Sequence, residues 1–280
     1  MNPVSVSERL AVCSWSLLPT DPGDLVAKLH ATGIRRVQLE LGPLHENPRV
    51  WGETEKLFRQ EGITIVSGMC RCAGEDYTTL DSIRLTGGIA PDATWEQNLK
   101  SIRAAAAQAK KLGLKLVTFH AGFLPADESD PTFTKMIERL DTVADIFMVQ
   151  NILLGLETGQ ETAPALADLL HKLNHPNIGV NFDPANMIMY DKGDPVKALH
   201  VLAPWIRQVH VKDARRTKVP ATWGAEVPVG SGEVDWRAFF STFKHVVFNV
   251  NLAIEREYGN NRVADIRTAR DVVQRTFNGT

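Results

Sequence analysis

The chain has 280 residues, 44% hydrophobic and 23% charged, with a net charge of −2 at neutral pH. That is the balance of a globular protein able to bury a large core, and it excludes extended disorder. Lys and Arg are scattered rather than clustered, so no field gathers nucleic acid or anionic lipid, and neither a polyanion nor a membrane is expected as a partner.

Met1 to Leu10 has neither a basic start nor a continuous apolar run, and no segment reaches the roughly 20 apolar residues of a membrane span. A cytoplasmic protein is the expectation. Three cysteines, Cys13, Cys70 and Cys72, are too few and odd in number for a disulfide framework. The Cys70-Arg71-Cys72 spacing has no second pair downstream to complete a thiolate zinc site, so these are expected to be half-buried thiols.

Short β-rich runs alternate with amphipathic helical stretches along the whole chain. The strands are expected at Leu10 to Ser14, Arg36 to Leu41, Ile63 to Met69, Lys115 to His120, Ile152 to Glu157, Ile178 to Asp183, Ile206 to Val211 and Asn251 to Glu255. Asp21-Pro22 opens the first helix and Gly33 stops it; Thr94 and Gln97 have capping-box spacing ahead of Leu99, Ile102, Ala106 and Ala109; Asp194-Pro195 and Asp235 open two later helices. The strand runs are mostly apolar, as expected where helices cover the outside and side chains fill the inside. Eight such units predict a single (β/α)8 barrel spanning 1–280, and about 250 residues is the usual length of that fold. An open doubly wound sheet is disfavoured because Cys13-Ser-Trp-Ser, not a Gly-x-Gly-x-x-Gly turn, follows the first strand. Two long connections, Cys70 to Ala93 and Lys212 to Val234, follow strand C-terminal ends, where barrel enzymes do their chemistry.

Polar residues interrupt the apolar runs at equivalent places. Glu157, Asp183, His210 and Glu255 each stand at or next to the end of one of four successive strands, 26, 27 and 45 residues apart. Any one of them alone reads as a helix cap or a surface ion pair. Four in series converge on one side of a barrel mouth, where three carboxylates and an imidazole suit Mn, Mg, Co or Zn, and without a cation the carboxylates would repel one another.

At Gly155-Leu-Glu-Thr, Val180-Asn-Phe-Asp-Pro-Ala-Asn, Gln208-Val-His-Val-Lys-Asp, Val229-Gly-Ser-Gly-Glu-Val-Asp-Trp and Ala253-Ile-Glu the chain resembles the xylose-isomerase-like superfamily of TIM barrels, in particular its sugar isomerase and epimerase branch, which includes ketose 3-epimerases. The resemblance implies that Glu157, Asp183, His210 and Glu255 bind one divalent ion, typically Mn, and that Glu157 and Glu255 are the acid–base pair of an isomerase or epimerase acting on a small sugar through an enediolate held on the metal. It also implies a substrate contact for Arg216, six residues after His210. Where those epimerases carry a substrate-binding His three residues after the Asp ligand, this chain has Asn186. That departure leaves open a dehydratase or lyase acting on a keto-sugar or 3-keto-glycoside. A DNA-repair endonuclease of the same superfamily is disfavoured, since the additional His ligands of its zinc cluster are missing. A non-catalytic sugar-binding barrel and a homo-oligomer stay open.

Further candidates for substrate contact are His120, at the end of the fourth strand, Lys212, on the same strand face as His210, and Trp15, beyond the first strand; each has an alternative as a rim hydrogen bond, a salt bridge or packing. Glu40 and Trp223 belong to the same group. Gly230 and Gly232 precede a helix start that could receive phosphate, but Glu233 and Asp235 would repel it.

Overall fold

The structure, a computed structural model, describes residues 5–125, 128–219, 222–247 and 249–279, so positions 1–4 of the Met1 to Leu10 stretch lie outside the described residues. Eight parallel strands carry the fold: β1 Leu10–Cys13, β2 Arg36–Glu40, β3 Thr64–Met69, β4 Leu116–Phe119, β5 Leu153–Glu157, β6 Ile178–Phe182, β7 Ile206–Val211 and β8 Asn251–Ile254. Each pairs with its sequence neighbours, and β1 pairs with β8 from Leu10–Leu252 to Val12–Ile254, closing a TIM barrel. The strand ends agree with the sequence expectation to within one residue. His120, Asp183 and Glu255 are each the first residue beyond a strand, where the backbone turns into the mouth.

Alternation along the strands sends Val12, Val37, Leu39, Val117, Leu154, Val180, Val209 and Leu252 into the buried layer between sheet and helices. The inward faces differ from the expectation of an apolar filling. Gln38, Ser67, Thr118, Asn181, Gln208 and His210 occupy the barrel interior fully buried. Buried polar groups persist only when bonded, and these are. Gln38 Nε2 donates to Thr118 Oγ1 at 2.7 Å, Ser67 Oγ to Gln208 Oε1 at 2.6 Å, and Gln208 Nε2 to Asn181 Oδ1 at 3.2 Å. Register shifts in the β2–β3 and β6–β7 pairings adjust which side chains face in, bringing Gln38 opposite Ser67 and Asn181 opposite Gln208.

The helix Pro22–Thr32 is capped by Asp21 and stopped by Gly33, and Asp194 and Asp235 cap the helices Pro195–Leu202 and Trp236–Val246. Thr94 and Gln97 do not form a capping box. The helix Asp92–Lys111 starts directly after Pro91, with Asp92 favourably placed in its first turn. Its Asn98 side chain instead ties down the preceding loop, accepting from Ala73 N and donating to Gly88 O.

Neither long connection is structureless. Cys70 to Ala93 contains the helix Leu80–Thr86, and Lys212 to Val234 contains an antiparallel ribbon of Asp213–Arg215 with Ala225–Val227. The ribbon is fastened by Asp213. Its Oδ2 accepts from Gly230 N (2.8 Å), Gly232 N (3.2 Å) and Trp236 Nε1 (3.0 Å), and its Oδ1 from Ala214 N (2.9 Å) and Val234 N (3.2 Å). The glycine turn therefore receives an anion that the protein itself supplies.

A Cβ added at Gly232 would lie 2.0 Å from Asp213 Oδ1 and 2.6 Å from Ala214 O. Gly232→Ala is expected to lower stability by at least about 2 kcal/mol, while Ser231→Ala on the exposed neighbour stays within roughly 0.5 kcal/mol of wild type. Urea denaturation midpoints of the two variants check this.

Candidate metal centre

Four strands deliver the four ligand candidates. Glu157 is the last residue of β5, His210 the penultimate residue of β7, and Asp183 and Glu255 follow β6 and β8. One donor atom from each lies within 4.8 Å of the other three. His210 Nδ1 is at the middle, 3.6 Å from Glu157 Oε1, 3.6 Å from Asp183 Oδ2 and 3.3 Å from Glu255 Oε2.

Each side chain is held from behind. His210 Nε2 lies 2.9 Å from Gln38 Oε1 and 3.0 Å from Asn181 Nδ2, so the ring is held from behind with Nδ1 facing the carboxylates. Asp183 uses Oδ1 to cap the helix Pro184–Met189, accepting from Ala185 N (2.8 Å) and Asn186 N (2.9 Å). It is a helix cap and a ligand candidate at once. Glu157 Oε1 accepts from Asn186 Nδ2 at 2.9 Å, and Glu255 accepts from Trp15 Nε1 (2.7 Å) and Lys212 Nζ (2.9 Å).

The donors fit a cation. Asp183 Oδ2 and His210 Nδ1 are buried and have no hydrogen-bond partner, although buried polar atoms are nearly always paired. Electrostatics point the same way. Burial disfavours a charged His210 ring, yet Glu255 and Glu157 outweigh it and hold its pKa well above the ordinary imidazole range. Burial raises Asp183 despite Lys212 and His210, whereas in Glu255 the same two cations overcome burial and hold the carboxyl well below its usual range. A proton or a divalent ion at Nδ1 meets that demand for positive charge. Cys13 approaches the other ring nitrogen, at 3.8 Å, and burial pushes its thiol up to about 12, which suits a packing role.

Above the cluster opens a cavity of about 700 Å³, lined by Trp15, His120, Asn186 and Lys212 together with Glu157 and Glu255. Lys212 is buried between Glu255 and Glu257 (2.7 Å), carboxylates that raise its pKa well above normal in spite of burial. Trp223 also faces the cavity, with its indole nitrogen unpaired, and Cys70 and Cys72 line it as free, buried thiols. Arg216 does not reach it. Its guanidinium is bound by Glu233 (3.0 Å), Asp191 (3.4 Å) and Gly193 O (3.1 Å). Glu40 pairs with Arg71 at 3.3 Å, outside the lining.

Sequence reasoning missed Glu75, Tyr77, Gln160 and Tyr190, which also belong to the wall. The length of the Cys70 to Ala93 connection was the signal for the first two. Glu75 Oε1 lies 3.2 Å from His120 Nδ1, and although burial works against a charged His120, this carboxylate raises its pKa.

A family model for the xylose isomerase-like TIM barrel matches residues 26–276. The chain belongs to that family. The 3-dehydroshikimate dehydratase of Bacillus anthracis is 30% identical over 104 residues, 35% of this chain and 36% of that protein, so the match spans about a third of its length. The inosose dehydratase of Geobacillus kaustophilus is 24% identical over 269 residues, 86% of this chain and 73% of that protein. Among solved structures, a xylose isomerase domain protein from Planctomyces limnophilus superposes with a TM-score of 0.86 at 26% identity, over 100% of this chain and 99% of its own. A xylose isomerase-like protein from Mycobacterium smegmatis in complex with magnesium (TM-score 0.75, 15% identity, 99% of both chains) and an L-ribulose 3-epimerase (0.72, 14%, 97% of this chain and 95% of its own) share the fold. Epimerase and dehydratase names thus both occur among the neighbours. No helix among the described residues is long and apolar enough to cross a membrane.

Two outcomes follow from the site's electrostatics. Gln38→Leu removes the acceptor that orients His210, and divalent-metal affinity is expected to fall roughly 10- to 100-fold by titration calorimetry. The second concerns Glu161, half-buried near the cavity rim, whose carboxyl burial pushes up to about 7 from 4.5 despite a 2.8 Å bond from Leu124 N. A group that gains a proton on folding makes stability fall as pH rises from 4.5 to about 7 and then level off. Glu161→Gln should therefore gain on wild type across that window, reaching roughly 1–2 kcal/mol above pH 7, as read from urea midpoints between pH 4.5 and 8.

Proposed function

We propose that the protein is a divalent-metal dehydratase acting on a small polyhydroxylated ketone, with Glu157, Asp183, His210 and Glu255 as ligands and manganese the expected ion; magnesium, cobalt and zinc suit the same donors. The observation that carries this reading is the His120–Glu75 pair on the wall of the cavity that holds the cluster. A hydroxyl group leaves as water once a proton reaches it, and this pair offers a donor separate from the base that takes the substrate's proton.

The bound ion supplies Lewis-acid polarisation of the ketone and lowers the cost of negative charge on its oxygen. Glu157 is the most open of the four ligand candidates, its side chain 13% exposed against 0–3% for the others. It removes the proton from the carbon beside the ketone. His120 follows Phe119, which pairs with Leu156, so the two groups stand on adjacent strands. His120 gives its proton to the departing β-hydroxyl. The C–H and C–O bonds break, a C=C bond forms, water leaves, and no oxidant is needed. Lys212 keeps Glu255 ionised, and Trp15 and Trp223 supply apolar walls. Two dehydratases among the curated relatives support the reading.

Epimerisation or isomerisation, with Glu255 returning the proton on the opposite face, is the second reading, and its support is that Glu157 and Glu255 flank one cluster. It is weakened by the bonds that Glu255 makes to Trp15 and Lys212, which hold it as a carboxylate, and by Arg216 pointing away from the cavity.

Incubation of the metal-loaded protein in D2O with 3-dehydroshikimate, an inosose and a panel of ketoses and 3-keto-glycosides separates the two. Dehydrated product is expected, with Glu157→Gln slowed roughly 10²- to 10⁴-fold at retained fold. An epimer carrying solvent deuterium, without eliminated product, would overturn the proposal in favour of the second reading.

A further inference from the structure

A second cavity, of about 690 Å³, lies at the opposite end of the barrel. Leu10, Arg36, Thr64 and Asn251, the first residues of β1, β2, β3 and β8, form part of its wall. Four arginines are among its lining residues, Arg9, Arg35, Arg36 and Arg270, against one acidic residue, Glu8. Glu8 accepts from Ser5 N at 3.0 Å in the capping box of the helix Val6–Arg9.

Two of the arginines have evident structural work. Arg270 Nη1 donates to Thr32 O at 2.7 Å and Arg35 Nη1 to Glu61 O at 2.8 Å, each closing the C-terminal end of a helix. Gly33, at φ 76°, leaves room for the first, since a Cβ there would lie 2.5 Å from Arg270 Nη1.

Arg9 and Arg36 are different. Nη2 of each donates to a neutral amide oxygen, Asn249 Oδ1 at 3.2 Å and Asn251 Oδ1 at 2.7 Å. Among the described residues neither has a carboxylate within 4.0 Å, and the Nε–H of both is buried without an acceptor. Burial lowers the pKa of both, but a guanidinium remains protonated. Two half-buried guanidinium groups thus share one cavity with a single acidic residue, Glu8, whose charge attracts Arg36.

We propose that this cavity binds a small phosphorylated anion. A guanidinium carries several N–H groups in a planar fork that matches phosphate oxygens, and four arginines against one acidic residue line this cavity. The cavity is larger than a phosphate group, so an organic portion fits beside it. Strands of four to six residues separate it from the metal centre by on the order of 15–20 Å. It is not part of the substrate pocket, and the inference stands whichever reaction the mouth performs.

Titration calorimetry of the full-length, metal-loaded protein with inorganic phosphate and with ribose 5-phosphate tests the site. Saturable binding that weakens with salt is expected, reduced by roughly tenfold or more in both Arg9→Gln and Arg36→Gln and unchanged in Ser231→Ala. Tighter binding of the sugar phosphate assigns an organic ligand, and equal binding assigns phosphate itself. Absence of saturable binding, or binding unaltered in both Arg variants, overturns the proposal. Should the variants fail to fold, wild-type crystals soaked in tungstate decide it: an anomalous peak within bonding reach of Arg9 and Arg36 supports the site, and peaks elsewhere or none refute it.

Discussion

The site rests on one hydrogen bond at the centre of the barrel, between His210 Nε2 and Gln38 Oε1. Together with the Asn181 amide, 3.0 Å from the same nitrogen, it holds the ring so that Nδ1 faces three carboxylates. Gln38 is in turn held by its own donation to Thr118, while Ser67, Gln208 and Asn181 fill the space beside it with bonded polar groups. A floor of aliphatic side chains would pack as densely but would offer the imidazole no acceptor. The polar interior is therefore the support of the candidate metal centre, and the fully bonded network lets it stay buried.

Charge at the mouth follows from the same arrangement. Three carboxylates crowd one point, and the protein answers with Lys212, which it buries beside Glu255 and Glu257. The ammonium bonds Glu255 and stands 4.0 Å from Asp183 Oδ2, so Asp183 Oδ2 and His210 Nδ1 face inward without hydrogen bonds. Such a site is strained electrostatically without an ion and relaxed with one, so metal and fold should stabilise each other.

Much of this was legible in the sequence because a barrel repeats. Four polar residues at successive strand ends converge when a barrel closes, and the periodic strands located them to within a residue. Asp183 shows the limit of reading one residue type as one role, since its two oxygens divide between cap and ligand site. The polar floor was hidden because Gln38 or Gln208 between apolar neighbours reads the same whether the polar face points to water or into the barrel. Arg216 was misjudged because spacing along the chain says nothing of side-chain direction once the backbone enters the ribbon, where Glu233 and Asp191 hold the guanidinium outward.

Asp213 lies three residues after His210, and its carboxylate binds five donors of the ribbon, the glycine turn and the start of the helix that follows. The base of the overhanging wall is thus anchored independently of what the tip contains. Residues between Arg216 and Gly224 can change in length and chemistry while β7, and with it the imidazole, stays where it is. Such a joint lets the overhanging wall be refitted by altering the tip alone, so that the shape above the barrel mouth can change without moving the residues beneath it.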